Sequence, residues 1–196
     1  MTRAAGSGII GVENNSSVEA GDTDGMTTIT EIKPIDFNDK AAIQKEIDDF
    51  AEKYAYAEVE HALELSPDGN MYKLIGMKNG VDSALIGKKA LIGSIGTHNH
   101  PVPKGDIMGD SFSKQDLTFA INYNLGKQYL ISGKRRNAFE FTQNITENEL
   151  LEAWENAKSD MREKMYIDDI ENFHGQFEIL KRINKYLKGF EFYENF

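Results

Sequence analysis

The chain has 196 residues, enough for one domain with a sizeable core, and its 40% hydrophobic and 28% charged content is ordinary for a globular protein. A formal net charge of −10 argues against a general nucleic-acid or anionic-membrane binder, because attraction to phosphate needs a basic surface. With no cysteine there is no disulfide framework and no thiolate ligand or nucleophile. The N-terminus lacks the basic-then-apolar pattern of a signal peptide, and no run approaches a membrane span, so the expected location is the cytoplasm or a particle assembled there.

Met1 to about Met26 is rich in Gly, Ser, Asn, Asp and Thr and reads as a flexible leader or linker, taken here to residue 35. That composition predicts that the chain belongs to, or hangs from, a longer protein. After Asp36, Ile43, Ile47, Phe50 and Tyr54 recur at helical steps, with Asn38 or Asp39 as the cap. Residues 57–65 and 71–77 flank Ser66-Pro-Asp-Gly-Asn70, a turn composition that predicts a β-hairpin, and a second turn falls at Lys78-Asn-Gly80. Ser83 to Lys89 is expected as a short helix leading into an apolar, Gly-broken strand, Ile92-Gly-Ser-Ile-Gly-Thr97.

That strand runs into His98-Asn-His-Pro101. In an extended chain, residues two apart share a face, so His98 and His100 can converge on one metal ion. Twelve residues separate His100 from Ser113, expected as a helix N-cap, with Asp116 at the third helical position. Two imidazoles and a carboxylate with a fourth position open is the composition of a catalytic zinc site. Asn99 should face away from the metal and fix the loop through its side chain, while Pro101 stiffens the exit.

Downstream, 127–132 and 137–142 flank Gly133-Lys-Arg-Arg136 as a second hairpin, whose basic cluster is expected as a solvated tip. Thr146-Glu-Asn-Glu149 is a capping box ahead of a helix carrying Leu150, Leu151, Trp154, Ala157 and Met161. A further helix carries Phe173, Phe177, Leu180, Ile183 and Leu187 and is expected to stop at Gly189; residues 190–193 form a last edge strand. Their helical spacing marks Trp154 and these aromatics as core. His61 and His174 are expected to be structural or exposed.

The order His-x-His, loop, Ser-x-x-Asp resembles the JAMM motif of the JAB/MPN metallopeptidase family, and His98-Asn-His-Pro101 is similar to its RadC-type and phage-associated branches. The loop between His100 and Ser113 is longer than the family's usual one, which leaves room for a flap and for Asp106 or Asp110 to compete for the metal. The resemblance covers roughly residues 40–142. It implies an α+β, three-layer fold like that of the cytidine deaminases, with a curved mixed sheet flanked by helices and the metal at a strand end. The implied divisions are a leader (1–35), a metallopeptidase core (36–145) and a C-terminal helical extension packed on it (146–196).

It also implies the chemistry. His98, His100 and Asp116 would bind Zn²⁺, and Ser113 would donate to the developing oxyanion. A Glu upstream of the metal strand would act as general base for hydrolysis of an amide or isopeptide bond in a protein or peptide substrate. Glu58, Glu60 and Glu64 are candidates; read as one strand they share a face, so facing cannot choose among them. The run Glu60-His-Ala-Leu resembles the start of the hairpin in phage-associated members, which favours Glu60, then Glu64, then Glu58. Alternatives are an inactive scaffold or phage-assembly module on the same fold, and a metal-dependent nuclease, which the net charge disfavours.

Overall fold

The computed structural model describes residues 26–104, 110–165 and 173–195. In chain order these form β1 (Thr28–Pro34), α1 (Lys40–Tyr54), β2 (His61–Leu65), β3 (Asn70–Ile75), a 3-10 turn (Ser83–Ile86), α2 (Lys88–Leu91), β4 (Ile95–Asn99), α3 (Lys114–Tyr123), β5 (Gln128–Ser132), β6 (Arg135–Phe141), α4 (Glu147–Met165), α5 (Phe173–Ile183) and β7 (Phe190–Glu194). The strands make one mixed sheet of seven, in the order β1-β3-β2-β4-β5-β6-β7. The architecture is α+β, with helices on both faces. Among the described residues no helix is long and apolar enough to cross a membrane.

Strand alternation divides the sheet into two unlike faces. Leu63 and Leu65 of β2, Met71 of β3 and Ile131 of β5 meet Ile43, Ile47, Phe50 and Ala51 of α1 in one buried cluster. Asp39 caps α1 by accepting from the backbone N–H groups of Ala41 and Ala42, so the expected amphipathic helix forms with its apolar stripe inward. On the other face, Leu130 of β5 and Phe139 of β6 pack with α3, α4 and α5 in a second cluster that includes Phe112, Leu117, Trp154, Ile179 and Leu180. The C-terminal helices therefore share a core with the sheet, and β7 extends it by pairing with β6.

The neighbouring strands β4 and β5 are parallel, while every other pair is antiparallel. A parallel pair needs a crossover, and α3 supplies it. The start of α3 is thereby carried back over the carboxyl end of β4.

Several expectations are corrected. Thr28–Pro34 lies inside the stretch read as leader, yet it is an edge strand paired with β3. It carries a bulge between Ile29 and Glu31, and Ile32 is 58% exposed, so backbone pairing rather than an apolar face holds it. Residues 1–25 of the expected leader lie outside the described residues. Glu58 sits in an exposed bend ahead of β2, so it is not on the strand that was to carry it. The second hairpin turns on Gly133 and Lys134 alone, with Gly133 at φ 59°, the glycine-first arrangement of a tight two-residue loop. Arg135 and Arg136 are consequently in β6 rather than at a solvated tip: Arg135 lies 4.1 Å over the Phe177 ring, and Arg136 reaches Asp48 at 4.0 Å. The last helix ends at Ile183, and a turn anchored on the Ile183 carbonyl carries the chain to buried Leu187, ahead of Gly189.

Candidate metal centre

Gly96, His98 and His100 follow one another on the face of β4 opposite α1, while Thr97 and Asn99 point the other way. Asn99 is fully buried and ties the end of β4 to the start of β2. Its Oδ1 accepts from the His61 N–H at 2.7 Å and its Nδ2 donates to the Val59 carbonyl at 3.1 Å. The His100 N–H donates to the Ile131 carbonyl at 3.0 Å, so the residue just past the strand is held as firmly as those within it. This anchoring brings the two imidazoles together, with Nε2 of His98 3.1 Å from Nε2 of His100.

Asp116 completes the group from the first turn of α3. Ser113 caps that helix: its Oγ accepts from the Asp116 N–H at 3.2 Å and donates to Asp116 Oδ2 at 2.8 Å, and its own N–H donates to the same oxygen at 2.6 Å. This reciprocal capping box occupies Oδ2 and leaves Oδ1 facing His98, 3.6 Å from its Nε2. Oδ2 stands 3.8 Å from His100 Nε2.

The donor set fits a metal ion. A tetrahedral ion with bonds of about 2.0–2.1 Å separates its ligand atoms by about 3.3 Å; the two imidazole nitrogens stand 3.1 Å apart, and one Asp116 carboxylate oxygen lies within 4.8 Å of both residues' ligand atoms. His98, His100 and Asp116 form a group near enough to bind one cation. Two buried imidazole nitrogens facing each other can share a single proton, and that proton stands where a cation would. Burial pushes His98 down to about 4, only partly offset by Asp116. Burial also works against charge on His100, but the carboxylates of Asp110, Asp116 and Glu60 outweigh it and hold His100 up to about 8.

Two further residues shape this group. Asp110 places Oδ2 3.5 Å from His100 Nδ1, at ion-pair rather than hydrogen-bond distance, so it flanks the imidazole from the side away from His98. Phe112, fully buried, sets its ring edge-on to His98 with centroids 5.8 Å apart. Asp106, the other acid of the long loop, lies outside the described residues.

Among the candidate bases, the sheet register separates what the sequence could not. Ala62 pairs with His98 and Glu64 with Gly96. Continuing that register outward sets Glu60 across from His100. Burial pushes Glu60 up to about 7, with the His100 cation and the Val81 N–H working against the shift and Asp116 and Asp110 adding to it. Glu64 faces the same side but lies deeper: its Oε2 accepts from Ser94 Oγ at 3.0 Å, and burial, opposed by the Ser83 and Ser94 hydroxyls, pushes it up to about 7 as well. His61, as expected, belongs to the opposite face, where Tyr54 stacks on it at 4.0 Å and burial pushes it down to about 4. The His174 side chain lies outside the described residues.

A cleft of about 750 Å³ connects these groups, with Glu60, His100 and Asp116 at one end and Glu64 and Gln128 at the other. Nothing local in the sequence distinguishes Gln128, a glutamine at the start of a strand. Against family models, curated proteins and solved structures, the chain finds no match.

Proposed function

We propose that this chain is a zinc-dependent hydrolase of the JAMM type, on a JAB/MPN-like fold, cleaving an amide or isopeptide bond in a protein or peptide substrate. The observation that carries this reading is the convergence of His98, His100 and Asp116 on one point, with Glu60 beside them in an open cleft. Two imidazoles and a carboxylate favour zinc over harder cations. The motif order and the His98-Asn-His-Pro101 quartet support the family assignment and, with it, a phage association.

A zinc ion in this group would supply hydroxide equivalents near neutral pH by lowering the pKa of water to ~7, and would polarise a carbonyl. The protein's own groups do the rest. Glu60, held near neutrality, is matched to accept a proton from water and pass it to the leaving amine. Asp110 sets its carboxylate beside His100 Nδ1, and Phe112 covers the back of His98. The Ser113 hydroxyl is committed to Asp116, so its first effect is to aim the carboxylate. Donation to an oxyanion requires that hydroxyl to exchange partners.

The test is zinc content and amide hydrolysis of the purified chain, compared with His98→Ala/His100→Ala and Glu60→Gln. One zinc per chain, lost in the double variant and kept in Glu60→Gln while turnover collapses, is the expected result. Failure to take up zinc under titration would overturn the reading and favour a scaffold role.

A further inference from the structure

The end of the long loop is fastened to the sheet beside His100. Ser132 is fully buried in β5, on the same sheet face as Leu130. Its Oγ serves two backbones at once, accepting from the Asp110 N–H at 2.7 Å and donating to the His100 carbonyl at 3.3 Å. Asp110 Oδ1 accepts from the Ser111 N–H at 2.7 Å, while Oδ2 stands 3.5 Å from His100 Nδ1. Ser111 is fully buried and held in turn: its Oγ accepts at 3.2 Å from Nδ2 of Asn137, which lies across from Leu130 in β6. Two hydroxyls and a carboxamide thus fix the chain at Asp110 and Ser111. The group that this arrangement faces is His100 Nδ1, shielded from solvent and without a hydrogen-bond partner among the described residues. The other ring nitrogen, Nε2, lies 3.1 Å from His98 Nε2, where His98, His100 and Asp116 converge.

A neutral imidazole carries its single proton on one nitrogen and offers a lone pair on the other. For His100 Nε2 to offer its lone pair, toward His98 or toward a cation, the proton must sit on Nδ1. A buried N–H without an acceptor is costly there. Asp110 Oδ2 is the acceptor at hand, and a shift of roughly 0.7 Å brings it to the ordinary length of a charge-assisted hydrogen bond. We propose that Asp110, held in place by Ser132, is a positioning residue that fixes His100 with its proton on Nδ1 and its Nε2 lone pair aimed at the metal point. The metal at that point rests on the hydrolase reading, whereas the tautomer is a property of the metal-free chain as well. The same placement takes Asp110 out of competition for the ion, because its carboxylate addresses the far nitrogen of the ring. The competing reading is that Ser132, Ser111 and Asn137 merely satisfy buried polar groups at the end of the loop.

Long-range proton–nitrogen NMR spectra of the imidazole rings distinguish the two, because they read the tautomer directly. The purified full chain, labelled at its histidine nitrogens, would be recorded without metal at about pH 10, above the ionisation of either imidazole. Zinc affinity would be measured alongside by competition with a chelator. Wild type is expected to hold His100 in the Nδ1–H form. Asp110→Ala, at a partly exposed position, should shift the tautomer ratio about tenfold toward Nε2–H, the scale of a charge-assisted hydrogen bond. It should also weaken zinc binding about 10–100-fold. Ser132→Ala should move both readouts the same way by less, with its fold checked by circular dichroism. An Nε2–H ring in wild type, or a ratio unchanged in Asp110→Ala, would overturn the positioning role. A wild-type ratio in folded Ser132→Ala would strike out Ser132 as the holder. A chain that takes up no zinc, yet loses the Nδ1–H form in Asp110→Ala, would overturn the metal reading alone. A zinc-binding chain whose tautomer is indifferent to Asp110 would overturn the positioning role alone.

Discussion

Glu60 and Glu64 lie four residues apart on one face of the sheet, in one cleft, and burial pushes both up to about 7. Their surroundings are opposite in kind. Glu60 lies among groups that titrate or carry charge, namely His100, Asp110 and Asp116, and it is partly rather than fully buried. Glu64 has the Ser83 and Ser94 hydroxyls and the Gln128 carboxamide close to its carboxylate. A displaced pKa therefore marks both ends of the cleft without saying what either does; the neighbours decide that. At the mouth the neighbours are titratable groups, whereas around Glu64 they are hydroxyls that donate to its carboxylate.

The largest expected effect tests the mouth. Glu60→Gln should lower turnover of an amide substrate by roughly 10²–10⁴-fold, the usual contribution of a positioned general base, while zinc stoichiometry stays unchanged. A loss of comparable size in Glu64→Gln, with Glu60→Gln active, would reverse the assignment of the two ends.

The second effect tests the floor through stability. An unfolded glutamate titrates at 4.5 and the folded Glu64 at about 7. Below 4.5 both states are protonated and the group is neutral in its effect. As pH rises to about 7 the unfolded chain alone ionises, and roughly 3 kcal/mol of stability is lost. Glu64→Gln should therefore raise the unfolding midpoint in denaturant at pH 8 and leave it nearly unchanged at pH 4. A pH-independent difference would mean that Glu64 is ionised in the free protein.

The third effect returns to the metal. His100, held up to about 8, must lose a proton for its nitrogen to serve as a ligand. Zinc affinity of the apo protein should fall about tenfold for each pH unit below 8, and calorimetry in buffers of different ionisation enthalpy should show proton release. Binding that is flat between pH 6 and 8 would place the ion elsewhere.

The smallest effect separates the two roles of Ser113. Ser113→Ala removes the cap of α3 and should cost about 1 kcal/mol in stability. If activity per bound zinc is unchanged, Ser113 acts through Asp116 alone; a further loss at full zinc occupancy marks direct contact with the reacting carbonyl.

What was legible in the sequence is what local chemistry dictates. The apolar stripe of α1, the caps at Asp39, Ser113 and Thr146, the hairpin turns and the two-residue alternation of His98 and His100 each depend on residues within a few positions of one another. That alternation also turns Asn99 away from the histidines, although its partners at Val59 and His61 lie about forty residues back. The expected metal triad could be named because one strand and one helix start carry all of it. β1 is not legible in the sequence because an exposed, bulged edge strand has backbone pairing but little apolar alternation. Only the tertiary structure sets Glu60 across from His100 and Glu64 across from Gly96, because both placements rest on the β2–β4 register. Nor could the chain alone show that Asp110 folds back onto His100, or that Gln128 meets Glu64 over Gly96. Those contacts join segments 10 to 64 residues apart, and they exist only because the parallel β4–β5 pair and its α3 crossover bring separate strands to one end of the sheet.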